Sequence, residues 1–170
     1  EEYIKECRKG NKKIKASRVG IIEMVKEALN WKTDNKEILE NNLDLQWKES
    51  GKNLKNLKNL IAIVDTSESM SNDGDIALYA AIGLGLRIAE NSRLGKRIMT
   101  FSESPKWINL ENQTSLVSMV KTLQKDNNWG VSTNFEATMQ LICNACIKKD
   151  LDNETVKDLV LIVFSDMQIN

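Results

Sequence analysis

One carboxylate and two hydroxyls stand at alternating positions after an aliphatic run, and these side chains are the best placed in the sequence to do chemistry. The run is Leu60–Val64, and Asp65, Ser67 and Ser69 follow it. Five apolar residues in succession predict a strand covered on both faces, as in a parallel sheet. Alternating side chains of an extended segment point the same way, so the three groups could converge. Hard oxygen ligands of this kind suit Mg²⁺ or Mn²⁺ in an octahedral shell better than zinc.

A second aliphatic segment also ends in an acid. Asp158–Asp166 reads DLVLIVFSD and predicts another buried strand. If this strand lies beside the first, Asp65 and Asp166 meet at one edge of the sheet. Two carboxylates at one edge repel each other, and a bound cation usually relieves such repulsion. The simpler interpretation is a loop that leads from Asp65 into a helix and a solvated strand end at Asp166.

Alternation of strands and helices predicts the architecture that would position these groups. The expected fold class is α/β, with a doubly wound, mostly parallel sheet preceded by a helical segment. In such sheets ligands bind outside the carboxyl ends of the strands. Residues 1–50 predict two helices, with apolar faces at Val19, Ile22, Val25, Leu29 and at Ile38, Leu39, Leu43, Trp47. After the first strand we expect helix Asp75–Asn91, strand Arg97–Ser102, an edge strand near 106–110, helices Ser115–Gln124 and Phe135–Lys149, and strand Asp158–Asp166.

The order of the oxygen-bearing groups resembles a known family. The motif D-x-S-x-S at Asp65, Ser67 and Ser69, then Thr133 in a glycine-containing loop and Asp166 after an aliphatic strand, resembles the metal-ion-dependent adhesion site of von Willebrand factor A domains. The phrases QWKESGKNLKNL, TFSESP, NWGVSTNF and VFSDMQ are similar to an uncharacterised intracellular family of plant, fungal and large-DNA-virus proteins, related to the A-like domain of the Ro ribonucleoprotein. The resemblance implies a helical segment at 1–52 and an A-like domain at 53–170, whose fold would continue beyond Asp166.

The resemblance also implies a role for each matching residue. Ser67 and Ser69 would coordinate a cation through their hydroxyls, and Thr133 would do so directly in some states. Asp65 and Asp166 would hold metal-bound waters or bind directly. Because neutral hydroxyls leave the cation poorly neutralised, it could accept a carboxylate from a partner. The expected function is a divalent-cation-dependent protein-binding module and not an enzyme, with Mg²⁺ or Mn²⁺ as cofactor and an acidic residue of an unidentified protein as its ligand.

Residues around the predicted site have alternative interpretations. Thr133 begins the sequence TNFE, which also fits a capping box in which the threonine hydroxyl caps the next helix. Glu68, Trp129 and Asn134 are candidate partner-binding residues. Glu68 stands where many members of the family have a small residue, and it could crowd or supplement the site. Trp129 could instead pack under the loop that carries it.

Two other functions compete with the binding module. Residues 1–20 carry seven Lys/Arg against three Glu, and together with the Ro resemblance they indicate an RNA-associated particle component as the alternative. In the whole chain, however, 24 basic residues balance 24 acidic ones, which predicts no dedicated nucleic-acid surface. A Mg²⁺-dependent phosphohydrolase with Asp65 as nucleophile generally needs a second acid two residues later, where this chain has Ser67.

The absence of histidine and the positions of the cysteines and glycines argue against several other classes of function. The sequence has no histidine, which excludes Ser-His-Asp and Cys-His catalysis and imidazole-dependent zinc sites. Cys143 and Cys146 form C-x-x-C inside a helical pattern, which favours packing over redox chemistry. Gly83 and Gly85 lack the third glycine of a dinucleotide-binding motif and indicate close helix packing. Three cysteines favour a reducing, cytoplasmic setting, and the apolar stretch Ile76–Leu86 is too short to span a membrane.

Overall fold

The structure, a computed structural model, describes Glu6 and residues 19–30, 36–72, 74–125 and 134–166. These residues form a mixed α/β fold, which confirms the α/β part of the expected fold class. Along the chain the elements are α1 (Ile21–Leu29), α2 (Lys36–Gly51), β1 (Leu60–Asp65), a 3-10 turn (Glu68–Ser71), α3 (Ile76–Ala89), β2 (Arg97–Phe101), β3 (Trp107–Asn109), α4 (Leu116–Lys125), α5 (Phe135–Lys148), α6 (Asn153–Lys157) and β4 (Val160–Phe164).

The four strands form one mixed sheet in the order β3-β2-β1-β4. Strand β1 pairs in parallel with both β2 and β4, and β3 runs antiparallel to β2 at the edge. The adjacency of the two acid-ended strands, assumed from the sequence, is therefore confirmed. Because β1 has a parallel neighbour on each side, its carboxyl end meets the ends of β2 and β4 at one rim of the sheet.

Hydrophobic clusters cover both faces of β1, as its unbroken aliphatic sequence predicts. Val64 lies in a cluster formed with helices α1 to α4. Ile61 and Ile63 point the other way, into a cluster that contains Ile142 and Cys146 of α5. The alternation of side chains along the strand thus divides the core into two parts, and it leaves the strand's carboxyl end as the place where polar groups can emerge.

Glycine lets helix α3 approach the sheet closely. A Cβ at Gly85 would lie 2.6 Å from Val64 Cγ2, a distance that real Cβ contacts do not reach. Gly83, on the adjoining face, lets α1 approach: a Cβ there would lie 3.1 Å from Val25 Cγ2. The two glycines therefore serve helix packing, as the sequence indicated, and Gly85 places the second half of α3 against Val64 near the end of β1.

The N-terminal helices share the core of the sheet-containing part. Val25, Leu43 and Trp47 are buried, as predicted. The prediction that Ile38 lies on the buried apolar face of the second helix is wrong, because its side chain is 43 % exposed at the start of α2. In α1 the fully buried positions are Met24, Val25 and Ala28, while Val19, Ile22 and Leu29 are only partly buried against the cluster.

Strand β4 is more exposed than its sequence indicates. We expected a buried strand, but Val160 is 49 % and Val163 40 % exposed. The physical reason is position, since β4 is the outermost strand and within the described ranges only β1 pairs with it. Two apolar grooves flank this strand. One of about 440 Å³ lies on the side of Ile162 and Phe164, and one of about 390 Å³ lies on the side of Leu161.

No helix within the part of the chain that the structure describes is both long enough and apolar enough to cross a membrane.

Candidate functional site

Asp65 is the buried centre of the candidate site. It is the last residue of the central strand, its Cα partner on β2 is Phe101, and it is only 2 % exposed. A carboxylate buried in this way needs hydrogen-bond donors to replace water. Its Oδ1 accepts from the Ser67 backbone N–H at 2.9 Å, and its Oδ2 accepts from the Ser165 hydroxyl at 2.7 Å. Both oxygens are therefore oriented by protein groups.

The hydroxyls of Ser67 and Ser69 lie next to each other. Their Oγ atoms are 2.9 Å apart and share a hydrogen bond. The 3-10 turn that follows β1 brings them together, with the Met70 N–H donating to the Ser67 carbonyl at 3.1 Å. Ser67 stands at the N-cap position of this turn, but its side chain makes no capping hydrogen bond. The Ser67 hydroxyl is thus directed to Ser69 and not to the backbone of the turn.

Strand β4 brings its carboxyl end to Asp65. Val64 and Phe164 are Cα partners in the parallel pairing, so Ser165 stands across from Asp65. Asp166 is the next residue, with a Cα about 3.8 Å from that of Ser165, and it is partly buried. The predicted meeting of the two acid-ended segments thus takes place through Ser165, a residue to which the sequence had given no role. A hydroxyl opposite a strand-ending acid was the signal that could have revealed it.

Helix α5 begins at the same rim. The Asn134 N–H donates to the Ser102 carbonyl at 3.1 Å, and Ser102 directly follows β2. The Asn134 side chain caps α5, since its Oδ1 accepts from the Ala137 N–H at 2.9 Å. Asn134, a candidate partner-binding residue, is therefore the N-cap of α5, and the capping-box alternative for Thr133 stays a prediction. Thr133 and Trp129 lie outside the described residues.

Two exposed side chains, Glu68 and Phe135, lie at the same end of the sheet as the buried carboxylate. Glu68 is exposed at the first position of the 3-10 turn. Phe135, the first residue of α5, is 54 % exposed, and its ring stands edge-on to that of Phe101, with centroids 6.5 Å apart. Phe101 is the Cα partner of Asp65, so this aromatic pair borders the candidate site. A partner that reached the rim would meet both an acidic and an apolar side chain.

The donor set of the site is built from hydroxyls. Within the described ranges no three His, Cys, Asp or Glu side chains are close enough together to hold an ion. A cation at this rim would therefore depend on the hydroxyls of Ser67 and Ser69 beside a carboxylate. Such a set is weakly charged and consists of hard oxygen atoms, which is the chemistry that Mg²⁺ accepts and zinc does not prefer.

The cysteine pair lies away from this rim and lacks the properties of a redox motif. Cys143 is exposed and Cys146 is buried on α5. Burial is the largest influence on the Cys146 thiol and raises its pKa, and Cys143 adds to the effect. A reactive cysteine has a lowered pKa, so Cys146 agrees with the packing role expected from the sequence, whereas the exposed Cys143 does not have that role.

Comparison with known proteins adds a family but no activity. No curated protein and no solved structure matches this chain. A family model with the description "Domain of unknown function (DUF7788)" matches residues 59–170, from the residue before β1 to the end of the sequence. All four strands and the candidate site lie inside the matched range, which is well over half of the 170 residues. The chain belongs to this DUF7788 family.

Proposed function

We propose that the protein is a von Willebrand A-like, doubly wound α/β domain that binds a divalent cation, Mg²⁺ or Mn²⁺, and through it an acidic residue of a partner protein. Asp65, Ser67, Ser69 and Asp166 would hold the ion, together with Thr133. When bound, the cation would supply a positively charged position that a partner carboxylate can occupy. Support for the fold comes from the parallel pairing of β1 with both β2 and β4, and from the clusters on both faces of β1.

The observation that carries this proposal is the spacing of the two serine hydroxyls. Magnesium binds oxygen at roughly 2.0–2.1 Å in an octahedron, so neighbouring ligand oxygens are about 2.9 Å apart. The Ser67 and Ser69 Oγ atoms lie 2.9 Å apart. Their mutual hydrogen bond holds them at a spacing that an octahedral ion requires, with the buried Asp65 carboxylate two residues earlier. The chemistry of these residues and the spacing of the two serine hydroxyls therefore support the proposed ion.

The start of α5 supports a contribution from Thr133. The hydrogen bond from Asn134 to Ser102 anchors this helix at the end of β2, beside the end of β1. Because Asn134 itself caps the helix, the cap does not require the threonine hydroxyl. The proposed ligand role of Thr133 therefore does not compete with the capping of α5.

Binding, and not turnover, is the activity that these residues favour. A phosphohydrolase that used Asp65 as nucleophile would need an acid at the position of Ser67 to assist the leaving group. The Ser67 hydroxyl is instead hydrogen-bonded to Ser69. We therefore expect no phosphatase turnover with Mg²⁺. Turnover that disappears in Asp65→Asn would contradict this view.

The test is a calorimetric titration of the chain with Mg²⁺ and with Mn²⁺. We expect saturable binding by the wild type and none by Ser67→Ala/Ser69→Ala, since the double variant loses both hydroxyl ligands. The matched control is Ser92→Ala/Ser118→Ala, which loses two serine hydroxyls elsewhere and should bind like the wild type. Ser118 lies on α4, and Ser92 follows α3. Equal binding by the Ser67/Ser69 variant and the wild type would refute the assignment.

A further inference from the structure

Ser165 makes a side-chain contact that joins the end of β1 to the residue that follows β4. Its hydroxyl donates to Asp65 Oδ2 at 2.7 Å, across one hundred residues of sequence. The short distance is typical of a charge-assisted bond from a hydroxyl to a carboxylate. The other oxygen, Oδ1, is bound by the Ser67 N–H, from the same loop as Asp65. Ser165 is thus the donor that ties the carboxylate to β4.

We propose that Ser165 is a positioning residue of the metal site, and that its hydroxyl fixes the Asp65 carboxylate in the orientation that a divalent cation requires. This inference rests on the function proposed above. Ser165 does not coordinate the ion in this proposal. It acts through Asp65, as the hydrogen-bonding partners of metal-binding carboxylates commonly do.

The register of the sheet explains why this position needs a hydroxyl. Asp65 is 2 % exposed, so its Oδ2 depends on a donor from the protein more than an exposed carboxylate would. The pairing of Val64 with Phe164 places Ser165 opposite Asp65, at a distance that a serine side chain spans. An aliphatic residue here would leave one carboxylate oxygen without this donor. The carboxylate could then rotate about its χ2 bond, since only the Ser67 N–H would still hold it.

The bond also adds a side-chain link at the end of the backbone pairing of β1 with β4. Asp166 follows Ser165 directly, so the hydroxyl that binds Asp65 also fixes where the next acid leaves the sheet. Loss of the bond would weaken the site twice, through the orientation of Asp65 and through the position of Asp166. Substitution of such partners typically weakens metal binding by about 10- to 100-fold.

The experiment compares Mg²⁺ affinity, measured by calorimetry, in wild type, Ser165→Ala and Ser165→Thr. We expect Ser165→Ala to bind about 10- to 100-fold more weakly. Ser165→Thr keeps the hydroxyl and should bind within about threefold of the wild type. Ser118→Ala is the matched control, because it removes a partly buried serine hydroxyl of α4 that donates to the Ser115 carbonyl. The Mg²⁺ affinity of this variant should equal that of the wild type.

Urea unfolding of the metal-free variants separates positioning from a merely structural role. A structural role would lower the unfolding midpoint of Ser165→Ala and leave its Mg²⁺ affinity unchanged, and this outcome would overturn the proposal. Weak binding by Ser165→Thr equal to that of Ser165→Ala would do so as well. If Ser165→Ala does not fold, Ser165→Cys keeps the side-chain size with a much weaker donor, and the same weakening is expected. Absence of Mg²⁺ and Mn²⁺ binding by the wild type would instead refute the proposed function itself.

Discussion

Arg87 anchors the N-terminal helices to the rest of the fold, and its replacement offers a quantitative test of that connection. It is 5 % exposed near the end of α3, and its guanidinium lies 3.4 Å from the centroid of the Trp47 ring on α2. It donates to Ser50 Oγ at 2.5 Å, to the Trp47 carbonyl, and to Glu90 Oε2 at 3.1 Å. Glu90 in turn accepts from Trp47 Nε1 at 2.8 Å. Burial lowers the pKa of Arg87, and Glu90 partly offsets this effect.

We predict that Arg87→Met lowers the free energy of unfolding by about 3 kcal/mol. Breaking a buried ion pair by removing one partner costs about 3–5 kcal/mol, and the 24 % exposure of the Glu90 side chain argues for the low end. Methionine retains the packing of the side-chain stem, so lost volume adds little. The loss of the cation–π contact is worth about 1 kcal/mol and is included in this figure. For a chain of this length, about 3 kcal/mol corresponds to a Tm lower by roughly 6–12 °C.

Urea unfolding of the full chain is the assay, and Arg93→Met is the control. Arg93 is exposed just after α3, so the same substitution there should change the free energy of unfolding by less than about 0.5 kcal/mol. Arg87→Lys keeps the charge but cannot reach three acceptors with one planar group, and we expect an intermediate loss. If Arg87→Met unfolds within about 0.5 kcal/mol of Arg93→Met, the helices preceding β1 do not depend on this buried cluster and the reasoning is wrong.

Two further predictions concern packing and thiol reactivity. Gly85→Ala should destabilise the protein by about 1–2 kcal/mol in urea unfolding, because overpacking against Val64 outweighs the gain in helix propensity of about 1 kcal/mol. Gly83→Ala should be nearly neutral in the same assay. A Gly85→Ala variant more stable than the wild type would contradict the close approach of α3 to the sheet. In a Cys7→Ser background at pH 8, N-ethylmaleimide should modify the exposed Cys143 at least about tenfold faster than the buried Cys146, whose thiol pKa is raised. Equal rates, read by mass spectrometry, would count against burial of Cys146.

The elements with strong hydrophobic patterns were predictable from the sequence. Strand β1 follows from its aliphatic run, and α3 lies within two residues of the predicted Asp75–Asn91 at each end. The short edge strand β3 was also predicted. These segments can be predicted because burial on one or both faces imposes a recognisable pattern of apolar residues on the sequence. The α/β class follows from their order alone.

Short elements and edge effects were not predictable in the same way. Helix α6 has five residues and no buried side chain, so no apolar period marks it. A local signal exists nevertheless, since Asp152 caps it by accepting from the Thr155 N–H at 2.7 Å. The exposure of β4 depends on which strands pair beside it, and a strand's own residues do not contain that information. Long-range pairing decides both its environment and its neighbours.

The candidate site shows the same division between local and long-range information. The alternation of Asp65, Ser67 and Ser69 is local, and the sequence sufficed to single these residues out. The donor from Ser165 comes from pairing across one hundred residues, so it appeared only with the fold. The cap of α5 differs again, since the cap is Asn134, a good capping residue that the sequence had suggested only for partner binding.

The position of Asp65 on the central strand explains why the site and the sheet depend on each other. A carboxylate at the end of an edge strand would remain in water and need no partner, whereas Asp65 lies between β2 and β4 and is almost fully buried. Burial makes the donors at Oδ1 and Oδ2 necessary, and one of them comes from β4. Separation of β4 from β1 would therefore remove a donor from a buried carboxylate. It would also move Asp166 away from Asp65, so the pairing of these two strands is a structural condition for any chemistry at this rim.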